Sequence, residues 1–403
     1  MTRWLLATLI AIFSGGWAGI GYIHAADSQW DEVVAASKGQ VVYWHAWGGD
    51  EKVNSYIAWV VDQVRDEFGI TLRHVKVGSI SESVSLLDAE KTSGRTKGGR
   101  IDLLWLNGES FAALKRGNLL YGPFTHRLPN FAYVDTINKP TTLVDFTIPT
   151  DGMEAPWGMA QIVFFADTAH VKNLPQTLKR LGAWTERQPS RFTYPAPPDF
   201  TGTTFLKQAL LDLVIDRTPL YKQVTESDFE LYSSPLWDFL DSLHPNLWRS
   251  GKVFPSSYPA LRQLMNDGEI DIAFSFNPAE VASAISRQLL PETVKPFVFS
   301  GGTIGNSHFL AIPKTASAKE GALVVVNFLL SPIAQAHKAD PQVWGDPTVL
   351  DLRKLDTNLA ALFEDQSRDD TTSVLEDLDR TLAEPHPSWT ERLEEEWQRR
   401  YQR

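Results

Sequence analysis

Residues 154–165 read Glu154-Ala-Pro-Trp157-Gly-Met-Ala-Gln-Ile-Val-Phe-Phe165. The apolar run from Ile162 to Phe165 indicates a strand that is buried on both faces. Pro156 favours extended backbone in the residue before it, and Gly158 allows other backbone or a ligand to approach closely. We expect the chain to cross here from one lobe to another, with Trp157 facing a cleft. A core strand with a packed tryptophan is the alternative, because most tryptophans are buried in this way.

Length and composition bound the class of protein. The chain has 403 residues, which implies two or more domains or one large two-lobed fold. Its net charge of -11 argues against a nucleic-acid role, because phosphate binding needs a basic face. The absence of cysteine from the sequence excludes thiol catalysis, disulfides and cysteine-ligated zinc.

The N-terminal residues 1–26 have the layout of a secretory signal peptide. Arg3 supplies a positive charge, Trp4 to Phe13 is apolar, and His24-Ala25-Ala26 offers a small-residue cleavage site. An uncleaved anchor is the alternative, since the segment up to Ile23 is about long enough to span a bilayer. Cleavage would remove Arg3 and change the net charge from -11 to -12. We therefore expect an exported periplasmic protein.

The first half of the mature chain alternates strand and helix patterns. Strand patterns occupy 40–47, 70–77 and 101–106, and 53–68 has the apolar spacing of an amphipathic helix. This alternation predicts a parallel sheet with helices on its faces. A second series of strand and helix patterns follows residue 155. The last helix places Trp389, Leu393, Trp397 and Tyr401 on one face.

Catalytic and metal-binding motifs are few. The sequence contains no Gly-x-Ser-x-Gly elbow, no His-Glu-x-x-His, no phosphate-binding loop and no dinucleotide-binding glycine pattern. For His45 and His308, near strand ends, we expect partly buried, hydrogen-bonded rings. We therefore predict no enzyme activity, no cofactor and no metal site.

Loops after strands supply candidate ligand contacts, because ligands of open parallel sheets bind beyond the carboxyl ends of the strands. Asp50 has an alternative as a helix N-cap, and Glu109 has one as an acid that complements the helix dipole. Trp44 and Trp105 lie inside strands and are expected in the core. The predicted ligand-binding residues are Trp47, Asp50, Asn107, Glu109, Trp157, Thr203, Asn277, Asn306 and Trp344.

Several stretches resemble a known family. They are Ala155-Pro-Trp-Gly onward to Asp167, Gly268-Glu-Ile-Asp-Ile-Ala-Phe, and Phe309-Leu-Ala-Ile-Pro followed by the apolar run 322–330. They are similar to periplasmic solute-binding proteins of ABC importers, of the two-lobed type II kind. Val42-Tyr-Trp-His-Ala-Trp-Gly-Gly-Asp and Asp102-Leu-Leu-Trp-Leu-Asn-Gly-Glu more closely resemble the YnjB-like branch. The resemblance covers nearly the whole mature chain.

The resemblance implies an α/β fold of two lobes with mixed, mostly parallel sheets flanked by helices. It implies crossings near 155, 302 and 345, with lobe 1 at 40–155 and 303–343 and lobe 2 at 156–302 and 344–403. The implied function is capture of a small solute by hinge closure and delivery to an ABC permease in the inner membrane. We expect a monomer.

The residues of the expected cleft suggest the kind of solute. Tryptophans together with Glu109 and Asp50 suit an aromatic or cationic molecule, and the YnjB-like branch suggests a thiamine-like one. The alternative function is a periplasmic carboxylate-dependent hydrolase, which needs two carboxylates converging at roughly 5–10 Å.

Overall fold

The computed structural model describes residues 29–364 and 381–402. The signal-peptide prediction for residues 1–26 lies outside the described residues. Described strands are β1 (Val41–Trp47), β2 (Thr71–Val77), β3 (Leu103–Leu106), β4 (Val144–Asp145), β5 (Ile148–Pro149), β6 (Glu154–Gln161), β7 (Val163–Asp167), β8 (Ile272–Ser275), β9 (Val294–Phe297), β10 (Thr303–Ala311) and β11 (Thr381–Leu382).

Helices surround these strands. They are α1 (29–37), α2 (Glu51–Phe68), α3 (Ser81–Thr92), α4 (Glu109–Arg116), α5 (Leu178–Arg187), α6 (Phe200–Leu213), α7 (Glu226–Leu243), α8 (Tyr258–Asn266), α9 (Glu280–Ser286), α10 (Lys319–Leu329), α11 (Pro332–Ala339), α12 (Thr357–Ala361) and α13 (Pro387–Tyr401).

The described strands form two larger sheets and the two-stranded β4–β5 hairpin. The first has the order β11-β10-β3-β1-β2, and β6 also pairs with β10. Strand β1 runs parallel to β2 and β3, whereas β10 runs antiparallel to β3 and β6. The second sheet has the order β8-β7-β9, and both its pairings are antiparallel. The chain is therefore an α/β protein with one mixed sheet and one antiparallel sheet, and the β1–β2–β3 alternation with helices follows the predicted parallel pattern.

Each sheet has its own hydrophobic core. The first core includes Trp44 and Trp157, and the second includes Phe164 and Phe274. Helix α13 packs on the second core with Trp389, Leu393 and Trp397 fully buried. The predicted apolar face of the last helix is therefore confirmed for these three side chains, which remove a large apolar area from water.

One of the connections between the two sheets is a single residue. Strand β6 pairs with β10 up to Gln161, and β7 of the second sheet begins at Val163, so the chain crosses at Ile162. The crossing predicted near 155 lies upstream of this point because β6 belongs to the first sheet. Similarly, Trp344 and the segment through Phe363 pack in the first core. We propose 40–161 with 303–364 and 381–382 as lobe 1, and 162–302 with 383–402 as lobe 2.

Candidate functional site

The two lobes meet at a cluster of carboxyl groups around one ammonium group. We call it the acidic cluster, and its members are Glu109, Asp145, Lys207, Glu384 and Glu394. Helix α4 and the β4–β5 hairpin supply Glu109 and Asp145 from lobe 1. Helix α6 supplies Lys207 from lobe 2, and α13 with the segment before it supplies Glu394 and Glu384. Helix α13 contacts both α4 and α6, so the cluster joins the lobes.

The local backbone of lobe 1 brings Asp145 to the start of α4. The Gly108 amide donates a hydrogen bond of 2.6 Å to the Asp145 carboxylate. Gly108 has a φ of 61°, and a Cβ there would lie 2.5 Å from the Phe146 ring. Glycine is required at this position because it accepts the left-handed backbone and leaves room for the ring. The turn places the Phe146 ring beside the acidic cluster.

Lobe 2 supplies the ion pair at the centre. The Lys207 ammonium lies 2.7 Å from a Glu384 oxygen, and both side chains are almost fully buried. The same ammonium lies 4.4 Å from the centroid of the Phe146 ring, within the range of a cation–π contact. The Asn306 amide donates a 3.0 Å hydrogen bond to Glu384, and the Thr203 hydroxyl donates a 2.7 Å bond to Glu394.

Burial changes the protonation of these carboxyl groups. The protein packed around Glu109 raises the pKa of its carboxyl, and burial raises the pKa of Asp145 well above its ordinary value. Burial also raises the pKa of Glu394 to about 7. In each case the charge of Lys207 opposes the increase. The cluster therefore holds more carboxyl groups than its one ammonium neutralises, and a further cation would favour their ionised form.

Buried polar atoms at the cluster lack partners within the described part of the chain. The Oδ1 atoms of Asp145 and Asn306 are buried without a hydrogen-bond partner there. Glu154, next to Asp145, is 1% exposed, and neither of its oxygens has such a partner. Burying unsatisfied acceptors costs about 1–3 kcal/mol each, so such acceptors favour a ligand that donates hydrogen bonds.

A narrow cavity lies beside the acidic cluster. It has a volume of about 230 Å³ and is lined by Lys115 and Arg116 of α4 and by His386 and Glu391 near the start of α13. Pockets for small molecules are typically roughly 300–1,000 Å³. The volume of this cavity lies below that range.

A second polar contact joins the lobes at another place. Arg262 of lobe 2 lies 3.7 Å from Asp50 of lobe 1 and 3.2 Å from Glu280. The Asn277 amide donates a 3.1 Å bond to the Trp344 carbonyl. Asp50 also accepts a 2.7 Å bond from the Lys52 amide, so its N-cap alternative is confirmed alongside its interlobe position.

The predicted ligand-binding residues divide between these regions. Glu109, Thr203 and Asn306 are in or directly bonded to the acidic cluster. Asp50, Asn277 and Trp344 belong to the second interlobe contact. Asn107 is half-buried beside Gly108, and Trp47 is half-buried against the first core.

Trp157 differs from its predicted place at the cleft. Its side chain is fully buried in the first core. Its ring makes edge contacts with Trp44 at 5.5 Å and Trp105 at 5.0 Å between centroids, and lies 5.5 Å from Trp344. The physical reason is that β6 pairs with β10 in the first sheet, which places the Trp157 ring against the tryptophans of β1 and β3 rather than in the gap between the lobes. Core packing, the alternative drawn from the sequence, is what the structure shows.

Both histidines singled out in the sequence are hydrogen-bonded within lobe 1. The His45 ring bonds Ser83 at 2.8 Å. The His308 ring bonds Asp346 at 2.7 Å, and Asp346 also pairs with the buried Lys338. The expectation of partly buried, satisfied rings is confirmed. Within residues 29–364 and 381–402, no group of three or more His, Asp or Glu side chains is placed to hold a metal ion.

Sequence reasoning missed the central members of the acidic cluster. Glu394 lies in the run Glu394-Glu395-Glu396, which is typical of a solvated helix face, and Glu384 lies in a proline-rich segment. Lys207 gave the one available signal. It is a charged residue in the largely apolar stretch Phe205–Leu211 of α6, and a charged side chain buried there needs a partner of opposite charge.

Comparison with known proteins identifies a family and a fold. Residues 59–356 match the family described as bacterial extracellular solute-binding protein. Protein YnjB of Escherichia coli strain K12 is 42% identical over 399 residues, which cover 99% of this chain and 98% of YnjB. Both matches extend across the two lobes.

Solved structures share the fold at low identity. The Tp0655 (TpPotD) lipoprotein of Treponema pallidum has a TM-score of 0.66 at 15% identity, over 89% of this chain and 98% of its own. A putative spermidine/putrescine ABC transporter protein from Listeria monocytogenes has a TM-score of 0.61 at 17% identity, over 89% and 98%. The periplasmic binding protein AfuA of Actinobacillus pleuropneumoniae, solved with fructose-6-phosphate, has a TM-score of 0.60 at 15% identity, over 90% and 98%. At these identities the structures establish the two-lobed type II fold alone.

Proposed function

The chain belongs to the bacterial extracellular solute-binding protein family. We propose that it captures a cationic solute at the acidic cluster between its lobes. As a member it is the extracytoplasmic solute-binding component of an ABC importer, which holds its solute in the interlobe cleft and delivers it to a permease. Members of this family serve transport, and we propose that this chain catalyses no reaction.

The observation that carries the proposal is the surplus of buried and half-buried carboxyl groups where the lobes meet. Glu109, Asp145, Glu384 and Glu394 surround the single ammonium of Lys207. A solute ammonium or amidinium group would donate charge-assisted hydrogen bonds to these oxygens. Such bonds are roughly twice as strong as neutral ones. An anionic solute would be repelled by these carboxylates, because its charge has the same sign.

Aromatic rings beside the cluster support the same class of solute. The rings of Phe146 and Phe200 already lie 4.4 Å and 5.7 Å from an ammonium, that of Lys207. Ring faces attract cations by about 0.5–2 kcal/mol, more when water is excluded. A thiamine-like solute, which combines an aromatic ring with a positive charge, fits this environment, as does a flexible polyamine.

Hinge closure would couple capture to delivery. Glu109 and Asp145 belong to one lobe and Lys207 and Glu394 to the other, so a cation bound among them joins both lobes. The single-residue crossing at Ile162 is a natural hinge, because few backbone angles need to change there. The closed surface would be recognised by a permease in the inner membrane.

The proposed function requires export of the protein from the cytoplasm. We place the protein in the periplasm after cleavage of residues 1–26, as a monomer that meets its permease through both lobes. The N-terminal sequence supports export, because a charged start, an apolar run and Ala25-Ala26 follow the order of a signal peptide. Mass spectrometry of the protein purified from the periplasm would test the cleavage.

The binding test uses compounds of contrasting charge. Isothermal titration calorimetry would be run with putrescine, spermidine and thiamine as cations, γ-aminobutyrate as a zwitterion and fructose 6-phosphate as an anion. We expect binding of at least one cation and none of the anion. Glu109→Gln should weaken that binding by roughly 10–100-fold, as expected for loss of a charged hydrogen bond.

A matched control separates this effect from loss of a surface charge. Glu395 is exposed on α13, one position from the cluster residue Glu394, so Glu395→Gln removes one carboxylate charge close to the cluster but outside it. It should leave the affinity within about twofold, because exposed charges are screened. Binding of fructose 6-phosphate in place of every cation, or equal effects of Glu109→Gln and Glu395→Gln, would refute the proposal.

A further inference from the structure

Lys207 is surrounded by groups that bind cations. Its ammonium pairs with Glu384 at 2.7 Å and faces the Phe146 and Phe200 rings. The carboxyl groups of Glu109 and Asp145 are near enough for its charge to lower their pKa values. Carboxylate oxygens on one side and ring faces on the other are what a protein offers to a bound ammonium ion.

The surroundings of Lys207 are also costly for a lysine. The side chain is 1% exposed and lies on α6 among Leu206, Ala209 and Leu210, all fully buried. Burying an ammonium is unfavourable unless a charged partner compensates it. An uncharged residue of similar length would pack on this helix without that penalty, so the ammonium is not needed to fill the space.

We infer that Lys207 is a specificity-determining residue whose ammonium competes with the solute cation for Glu384 and the Phe146 ring. The inference rests on the proposed function, since it assumes a cationic solute at the acidic cluster. A solute displaces it when its hydrogen bonds, positive charge and ring contacts together exceed what one lysine ammonium gains there. Lys207 thereby disfavours simple monovalent ions, which offer neither hydrogen-bond donors nor a ring.

Removing the ammonium should increase the affinity for cations. Lys207→Met keeps an unbranched apolar side chain of similar length and leaves Glu384 without its ion pair. The solute then meets neither competition nor the repulsion of a neighbouring positive charge. We expect a decrease in Kd of about tenfold or more for putrescine, spermidine or thiamine, because close charges in buried sites interact strongly. Selectivity among the three compounds should decrease.

Lys207→Arg is the matched control. It retains the charge and still pairs with a carboxylate, so competition persists. Its Kd should be equal to or higher than that of the wild type. Lys207→Gln is a second neutral variant and replaces Lys207→Met if circular dichroism shows that the methionine variant does not fold. Calorimetry on the full mature protein measures all the constants.

The outcomes separate the inference from the proposed function. Tighter binding in the neutral variant but not in Lys207→Arg supports the inference, including the case in which only the neutral variant binds. If the wild type binds a cation and the neutral variant binds it no more tightly, the inference fails while the proposed function stands. If neither the wild type nor the neutral variant binds any cation, both fail. Binding of γ-aminobutyrate that is lost in the neutral variant would show that Lys207 holds a solute carboxylate, and would overturn the inference.

Discussion

The raised pKa of Glu394 makes a sharp prediction about stability and pH. Burial raises this pKa from its ordinary value of 4.5 to about 7, and the charge of Glu109 acts in the same direction. The folded protein therefore binds the proton more tightly than the unfolded chain does. The contribution of this protonated carboxyl group to the free energy of unfolding is fully present below pH 4.5 and is lost as the pH rises through about 7.

The size of the effect follows from the pKa values. At about 1.4 kcal/mol per pH unit, the displacement from 4.5 to about 7 corresponds to a loss of about 3 kcal/mol at pH 8. Glu394→Gln is neutral at every pH and keeps an oxygen that can accept the Thr203 hydroxyl proton. The variant should therefore be more stable than the wild type by up to about 3 kcal/mol at pH 8 and nearly equal to it at pH 4.5.

The assay is thermal unfolding of both proteins between pH 4.5 and pH 8. For a chain of this length, about 3 kcal/mol corresponds to a difference of about 4 °C in Tm. Glu395→Gln on the exposed face of α13 should show no such trend. A Tm difference for Glu394→Gln that does not grow between pH 5 and pH 8 would refute the burial of a high-pKa carboxyl group. The same variant should bind cations less tightly, since stability and binding oppose each other in this site.

Three further substitutions test buried packing in the two lobes, each by chemical denaturation. Gly158→Ala would place a Cβ against the Asp346 carboxylate and should cost about 1–3 kcal/mol of unfolding free energy by overpacking. Lys338→Met would leave Asp346 buried without its ammonium partner and should cost about 3–5 kcal/mol. Trp397→Phe would remove the 2.8 Å bond that its indole donates to the Tyr194 hydroxyl and should cost about 1–3 kcal/mol.

For each of these three substitutions, one outcome would contradict the predicted loss of stability. Unchanged stability of Gly158→Ala would mean that the segment of Asp346 moves freely away from β6. Stability gained by Lys338→Met would mean that Asp346 is neutral in the folded protein. A Trp397→Phe variant as stable as the wild type would mean that the Tyr194 hydroxyl exchanges its partner without cost, since it also bonds His244 at 2.7 Å.

Local sequence patterns predicted several strands and helices well. The alternation in the first half predicted β1, β2 and β3 with their helices, because apolar periodicity reports directly which face of each element is buried. The N-cap role of Asp50 was also available from sequence, because capping depends on neighbouring residues alone. The apolar face of α13 was predicted for the same reason.

Contacts between distant segments were harder to predict from the sequence. Trp157 was expected at a cleft, but pairing of β6 with β10, more than 140 residues later, buries it in the first core. The boundary near 345 was placed too early because Val349, Leu350 and Phe363 return to that core. Such choices depend on which surfaces meet after the chain folds, and no local periodicity records them.

The sequence by itself determined the α/β class, the series of strands and helices, the absence of catalytic motifs and the resemblance to solute-binding proteins. Glu109, Thr203 and Asn306 were predicted from the sequence as ligand contacts, and the structure places them in or directly bonded to the acidic cluster. Only the tertiary structure decided that Lys207, Glu384 and Glu394 join them. These residues come from helices and segments up to 285 positions apart in the chain (109 to 394), and a charge becomes informative only when folding removes it from water.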